Sequence, residues 1–196
     1  MDEDLEDLAT AVRSCRLCAD HLPLGPRPVL RPSSTARLLI AGQAPGTKVH
    51  QSGTPWNDAS GNRLREWLDL PKSVFYDDIK VAIIPQAFCY PGKGPNGDLP
   101  PPPICQKTWH PRLHAAMPQI ETYVLAGRFA QTYHLGNKRK RTLGETVAAW
   151  REYAPRYFPL PHPSWHNNHW LKANPWFERD LVPVLRDRVR RLLDLP

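Results

Sequence analysis

Four short runs of consecutive apolar residues divide the chain: 37–41 (RLLIA), 80–86 (KVAIIPQ), 122–126 (TYVLA) and 157–160 (YFPL). Runs of this length without polar alternation predict strands buried on both faces, the fourth weakened by Pro159, which offers no ladder donor. Between them the apolar positions change to helical spacing. Leu5, Leu8 and Val12 predict an opening helix within 3–15, and further helices are expected over 63–70, 112–117, 128–135 and 142–153. A long closing helix is expected over 175–193, where Pro175 suits a first turn and Pro183 should kink or delay the coil. Segment 23–34 carries four prolines and must be irregular or extended, and 92–103 (GKGPNGDLPPPP) reads as a loop. Strand–helix alternation predicts an α/β fold, a small parallel sheet with helices on both faces.

Composition narrows the class. At 196 residues the chain fits one domain, spanning 1–196. Hydrophobic residues at 41% and charged residues at 23% exclude wholesale disorder. No apolar run approaches the roughly 20 residues of a membrane helix. The start, MDEDLEDLATAV, lacks the basic and apolar regions of a signal peptide, so a cytoplasmic, intracellular protein without a membrane partner is expected. The net charge of +7 favours a polyanionic partner. Twenty-three prolines and seven tryptophans predict long, stiff loops over a compact core.

In open α/β sheets ligands bind beyond the carboxyl ends of the strands. The four segments there are Gly42-Gln43-Ala44-Pro45-Gly46, residues 87–92, Gly127-Arg128 and residues 161–168 (PHPSWHNN), and a shared cleft is expected between them. GQAPG lacks the Lys-Ser/Thr of a phosphate loop and the third glycine of a dinucleotide fingerprint, but its rigid turn can bring amides close to a ligand. Downstream, Trp56 offers a face on which a base can stack, and Asp58 a carboxylate that can orient a water. The plainer alternatives are core packing for Trp56 and capping of the following helix for Asp58. Pro161 and Pro163 clamp His162, which suits a positioned donor, and Asn167 and Asn168 can bond phosphate or cap turns. Lys48 and His50 are the nearest candidates for phosphate contact. The 138–141 run (KRKR) could flank the cleft, while Arg186, Arg188, Arg190 and Arg191 read as a solvated helix face.

Cys15, Cys18, Cys89 and Cys105 form a C-x2-C pair followed by two further cysteines. In an intracellular chain this suggests a metal site more than disulfides, and four thiolates suit either zinc or a [4Fe-4S] cluster.

GQAPG after the first strand, GTPW with DASG behind it, and HPS after the last strand resemble the uracil-DNA glycosylase superfamily, nearest its family 4 and family 5 members, over about residues 15–168. The resemblance implies a single-domain, three-layer α/β sandwich with a central four-stranded parallel sheet. It implies hydrolysis of the N-glycosidic bond of uracil or another deaminated base in DNA, in base excision repair. Carried over by position, Trp56 stacks on the flipped base, Asp58 activates or orients the attacking water, and His162 contacts the pyrimidine carbonyl. Gly42, Gln43, Ala44 and Gly46 form the turn beside base and sugar, and Gln86 stands next to the position (Pro85) from which family 4 reads the uracil edge. Trp165 and His166 fall where the family's DNA-intercalating loop lies, flanked by Ser164 and Asn167 as DNA-binding candidates; Lys48 and His50 are expected as DNA contacts from their own chemistry and place. The four cysteines match a structural [4Fe-4S] cluster. Gln43 replaces the family 4 glutamate, and 47–50 (TKVH) replaces its acidic residues, so the fit is closer to family 5. No lysine stands at a nucleophile position, so a monofunctional enzyme, expected to be a monomer, is implied. The alternative is a catalytically weak or inactive relative that binds damaged or single-stranded DNA; a phosphate-handling α/β enzyme sharing only the fold ranks last.

Overall fold

The computed structural model describes residues 4–95 and 97–195. Glu3, where the expected opening helix could begin, and Asn96, inside the expected loop 92–103, lie outside them. Four parallel strands, β1 (Leu38–Ala41), β2 (Val81–Ile83), β5 (Thr122–Ala126) and β6 (Tyr157–Leu160), pair in the order β2-β1-β5-β6. The remaining two, β3 (Lys93–Gly94) and β4 (Gly97–Asp98), form a separate antiparallel hairpin within the segment expected to be a loop.

Each central strand is buried along its whole length, because alternate side chains feed two cores. Leu38, Ile40, Val81, Ile83, Val124, Phe158 and Leu160 face one core, with Leu64, Trp67 and Leu68 of α3 (Ala59–Leu68) and Leu185 and Val189 of α9 (Val182–Leu192). Leu39, Ala41, Ala82, Ile84, Tyr123 and Leu125 face the other, with Leu8 and Val12 of α1 (Leu5–Arg13), Trp109 and Leu113 of α5 (Pro103–Ala115) and Ala130 of α6 (Arg128–Leu135). This is the expected three-layer α/β sandwich. Pro159 is tolerated because β6 is the edge strand. At the other edge the proline-rich segment covers β2: Arg31 and Ile83 exchange backbone hydrogen bonds of 2.9 and 2.8 Å.

Helix bounds depart from expectation where proline governs them. α5 begins at Pro103 rather than near 112, because the last proline of the run serves as the first helical residue. The closing helix is delayed, as Pro183 required: a π-helical turn over Phe177–Leu181 precedes α9, and Pro183 falls in the first turn of α9. The segment 142–153 splits into α7 (Leu143–Ala148), opened by a Thr142/Glu145 capping box, and a 3-10 turn, Trp150–Glu152.

Candidate active site

The GQAPG turn leaves β1 and is fastened to the extension of β2, whose Gln86 and Ala87 amides donate to the Gly42 and Gln43 carbonyls at 3.0 Å. Gly46 opens the short helix α2 (Thr47–Ser52). The chain then turns through Trp56, whose φ of +58° places a bulky aromatic in the left-handed region. Two glycines make this possible. A Cβ on Gly61 would stand 1.7 Å from the Trp56 carbonyl oxygen, and one on Gly42 would stand 2.7 Å from the Trp56 ring. The indole therefore lies against the backbone of the first strand end and is half-buried.

Asp58 caps α3: its Oδ1 accepts from the Gly61 amide at 2.8 Å. The capping alternative is thus realised, and it holds the carboxylate in place while Oδ2 is left without a protein partner among the described residues. From the carboxyl end of the edge strand β6, His162 brings its ring to 5.6 Å from Trp56, with 31° between the planes. It packs over Gly127, where a Cβ would stand 3.3 Å from the His162 Cβ. Burial pushes the His162 pKa down to about 4, opposed by Asp58 and assisted by His166, so the imidazole is neutral at pH 7. Trp56, Asp58 and His162, from two loops a hundred residues apart in sequence, thus share one cleft. Arg63 of α3 ties these loops together, its Nη1 donating to the Ser164 carbonyl at 3.3 Å and to Asn168 Oδ1 at 2.8 Å.

The remaining candidates take varied places. Asn167 fastens its own loop, donating to the His162 carbonyl at 2.7 Å. Trp165 is 71% exposed, and its ring stacks on His166 at 3.9 Å. Gln43 donates to the Leu99 carbonyl at 3.2 Å, Ala44 packs on the second core, and Ser164 is half-buried. Gln86 is fully buried; its side-chain oxygen accepts from Gln106 of α5 at 2.7 Å and its amide nitrogen has no partner among the described residues. Lys48 is exposed, whereas His50, expected as a DNA contact, is buried against Tyr90. The basic run 138–141 does not flank the cleft. Helix α6 leaves the carboxyl end of β5 and returns, so that His134 near its end meets Tyr123 at the start of β5, 5.2 Å away. The run therefore sits away from the loops at the carboxyl ends of the strands, toward their amino ends, where Lys140 pairs with Glu152 and Arg141 with Glu145.

A second carboxylate escaped sequence reading. The β3–β4 hairpin brings Asp98 beside Gly46, where a Cβ would lie 3.5 Å from Asp98 Oδ2. Desolvation raises the Asp98 pKa, with Asp58 adding to the rise and Lys93, a hydrogen bond from Tyr90 and His166 opposing it. Its Gly-Asp pair lies in a proline-rich stretch where it reads as turn punctuation, so no local signal distinguished it.

Cys15, Cys18, Cys89 and Cys105 are free thiols lining one small cavity, together with Leu17, Leu22, Ala87 and prolines. Burial pushes the Cys89 and Cys105 thiols up to about 11, with neighbouring cysteines adding to the rise. Among the described residues no group of three or more His, Cys, Asp or Glu side chains closes onto a single ion. No helix among the described residues is long and apolar enough to cross a membrane.

A family model for the uracil DNA glycosylase superfamily matches residues 30–186, and the chain belongs to that superfamily. The matched span holds the whole cleft, and Cys15 and Cys18 precede it.

Proposed function

We propose that the protein is a monofunctional DNA glycosylase that hydrolyses the N-glycosidic bond of uracil, or a related deaminated base, in DNA. The observation that carries this reading is the Trp56–His162 pair, 5.6 Å apart, with the capped Asp58 carboxylate alongside. A base within a duplex must be extruded before it can be attacked, at a cost of a few kcal/mol. Stacking on Trp56 recovers about 1–3 kcal/mol of that. As the glycosidic bond breaks, positive charge grows on the sugar and negative charge on the leaving base. Asp58, negative and fixed by its cap, stabilises the first and directs a water at the anomeric carbon through Oδ2. His162, neutral, donates a hydrogen bond to the base carbonyl where the second collects. Water oxygen joins the sugar carbon, the base leaves with the bonding electron pair, and the water proton passes to Asp58 or solvent.

The four cysteines suit a structural [4Fe-4S] cluster: all four line one cavity, and four thiolates are the donor set such a cluster takes. Such a cluster would tie the residues after α1 to α5 and supply structure alone. Protein purified without oxygen should show a broad visible absorbance with bound iron and sulfide, both lost in Cys105→Ser; zinc without iron would overturn the cluster.

Incubation with a uracil-containing oligonucleotide, followed by alkali, tests the reaction. Asp58→Asn is the informative variant, because asparagine caps a helix as well as aspartate does while lacking the charge. Cleavage should fall by about 100-fold or more. Binding without cleavage by the unaltered protein would instead establish a DNA-binding relative.

A further inference from the structure

Arg65 is only 7% exposed, yet its guanidinium meets neutral acceptors alone among the described residues. Its Nη1 donates to the Trp56 carbonyl at 3.2 Å and lies 3.4 Å from the Tyr76 hydroxyl, and its Nη2 donates to Asn62 Oδ1. The Tyr76 hydroxyl in turn donates to the Pro55 carbonyl at 2.8 Å, and the guanidinium packs over the Phe75 and Tyr76 rings. Two successive carbonyls, those of Pro55 and Trp56, are thus held from below by one cation and one phenol. A buried cation without a carboxylate is costly, and a tryptophan at φ +58° persists only where its surroundings hold it. Both costs fall on the same turn. The guanidinium is the group that binds the strained carbonyl directly, and that carbonyl sits where any residue but glycine at position 61 would exclude it.

From this geometry we infer that Arg65 is a positioning residue that sets the Trp56 ring in the cleft by gripping the Trp56 carbonyl, with Tyr76 as its second hand on Pro55. The inference rests on the reading of Trp56 as the stacking face for an extruded base. A family of unrelated substitutions in α3 would weaken the fold without regard to Trp56; Arg65 should act through Trp56 specifically, and a double-mutant cycle separates the two.

The single-turnover rate of uracil excision is measured for Arg65→Met in the unaltered and Trp56→Ala backgrounds, with thermal unfolding followed on the same preparations. Arg65→Met should slow excision by about 10- to 100-fold in the first background and by less than about twofold in the second, and Arg65→Lys should recover part of the loss. An equal loss in both backgrounds, or no loss in the first, overturns the inference. Should Arg65→Met fail to fold, Tyr76→Phe removes one oxygen and enters the same cycle: a smaller loss confined to the Trp56 background supports the inference, and an equal loss in both overturns it. If the unaltered chain excises nothing, the glycosylase reading fails by itself. The positioning role is then read from 5-fluorotryptophan-labelled protein, with the Trp56 resonance assigned by its disappearance in Trp56→Phe. A shift of that resonance in Tyr76→Phe or Arg65→Lys supports the role, and an unmoved resonance overturns it.

Discussion

The methyl groups absent from Gly42 and Gly61 leave room for the ring and carbonyl of Trp56, and the two positions should respond differently to alanine. At Gly61 the obstacle is backbone oxygen, which cannot yield, so Gly61→Ala should lower unfolding free energy by about 1–3 kcal/mol in urea titrations. At Gly42 the obstacle is a side chain, so Gly42→Ala should spare stability more than excision, because the indole must swing away from its place in the cleft. Asp58 has two duties that separate in the same way: Asp58→Ala should cost about 1 kcal/mol of stability through the lost cap, a cost that Asp58→Asn avoids. His162, held neutral down to about pH 4 by burial, should leave no inflection near pH 6.5 in the rate of the bound complex. An inflection there that vanished in His162→Asn would contradict the neutral-donor role.

Helices α5 and α6 trap three histidines between them and the sheet. His110 is fully buried and stacks on Phe88 at 5.4 Å; His114 lies 5.7 Å from His110 and 5.2 Å from His134. Burial pushes His110 down to about 3, with His114 lowering it further, and lowers His114 and His134 as well. Such groups bind fewer protons folded than unfolded, so their effect is absent above the unfolded value of about 6.5 and destabilises increasingly as pH falls below it. Urea unfolding from pH 8 to 4 should show stability falling below about pH 6.5, with a shallower slope in His110→Leu. Elements also explain what sequence reading missed. The start of α5 was hidden because a run of prolines reads as a breaker until its last member is seen to open a helix. The closing arginines, read as a solvated face, hold partners: Arg186 donates to the Glu66 and Trp67 carbonyls at the end of α3, and Arg188 to Thr122 and Glu121.

At the scale of the whole molecule, the positive charge is spread unequally with respect to the cleft. Lys48 stands exposed beside the GQAPG turn, whereas the 138–141 run sits toward the amino ends of the strands. If the cleft is where DNA binds, Lys48→Ala should reduce the salt slope of single-strand affinity by about 0.7, one phosphate's worth, while replacing Lys138 and Arg139 with glutamine should leave it unchanged. Fluorescence anisotropy across a salt series measures both.

The strands, their burial on both faces and the three loop motifs were legible in the amino-acid order, since apolar runs and glycine–proline turns act through neighbouring residues. The same holds for Trp56, Asp58 and His162 as candidates. Their meeting was expected from the rule that ligands bind beyond the carboxyl ends of the strands, but the 5.6 Å between the Trp56 and His162 rings was not legible, nor was the place of Asp98, the burial of His50 or the grip of Arg65 on a carbonyl nine residues away. Those depend on which strand lies beside which, and on where each helix ends after crossing the sheet. Such separations are decided by packing between segments far apart in the chain, and no local pattern carries them.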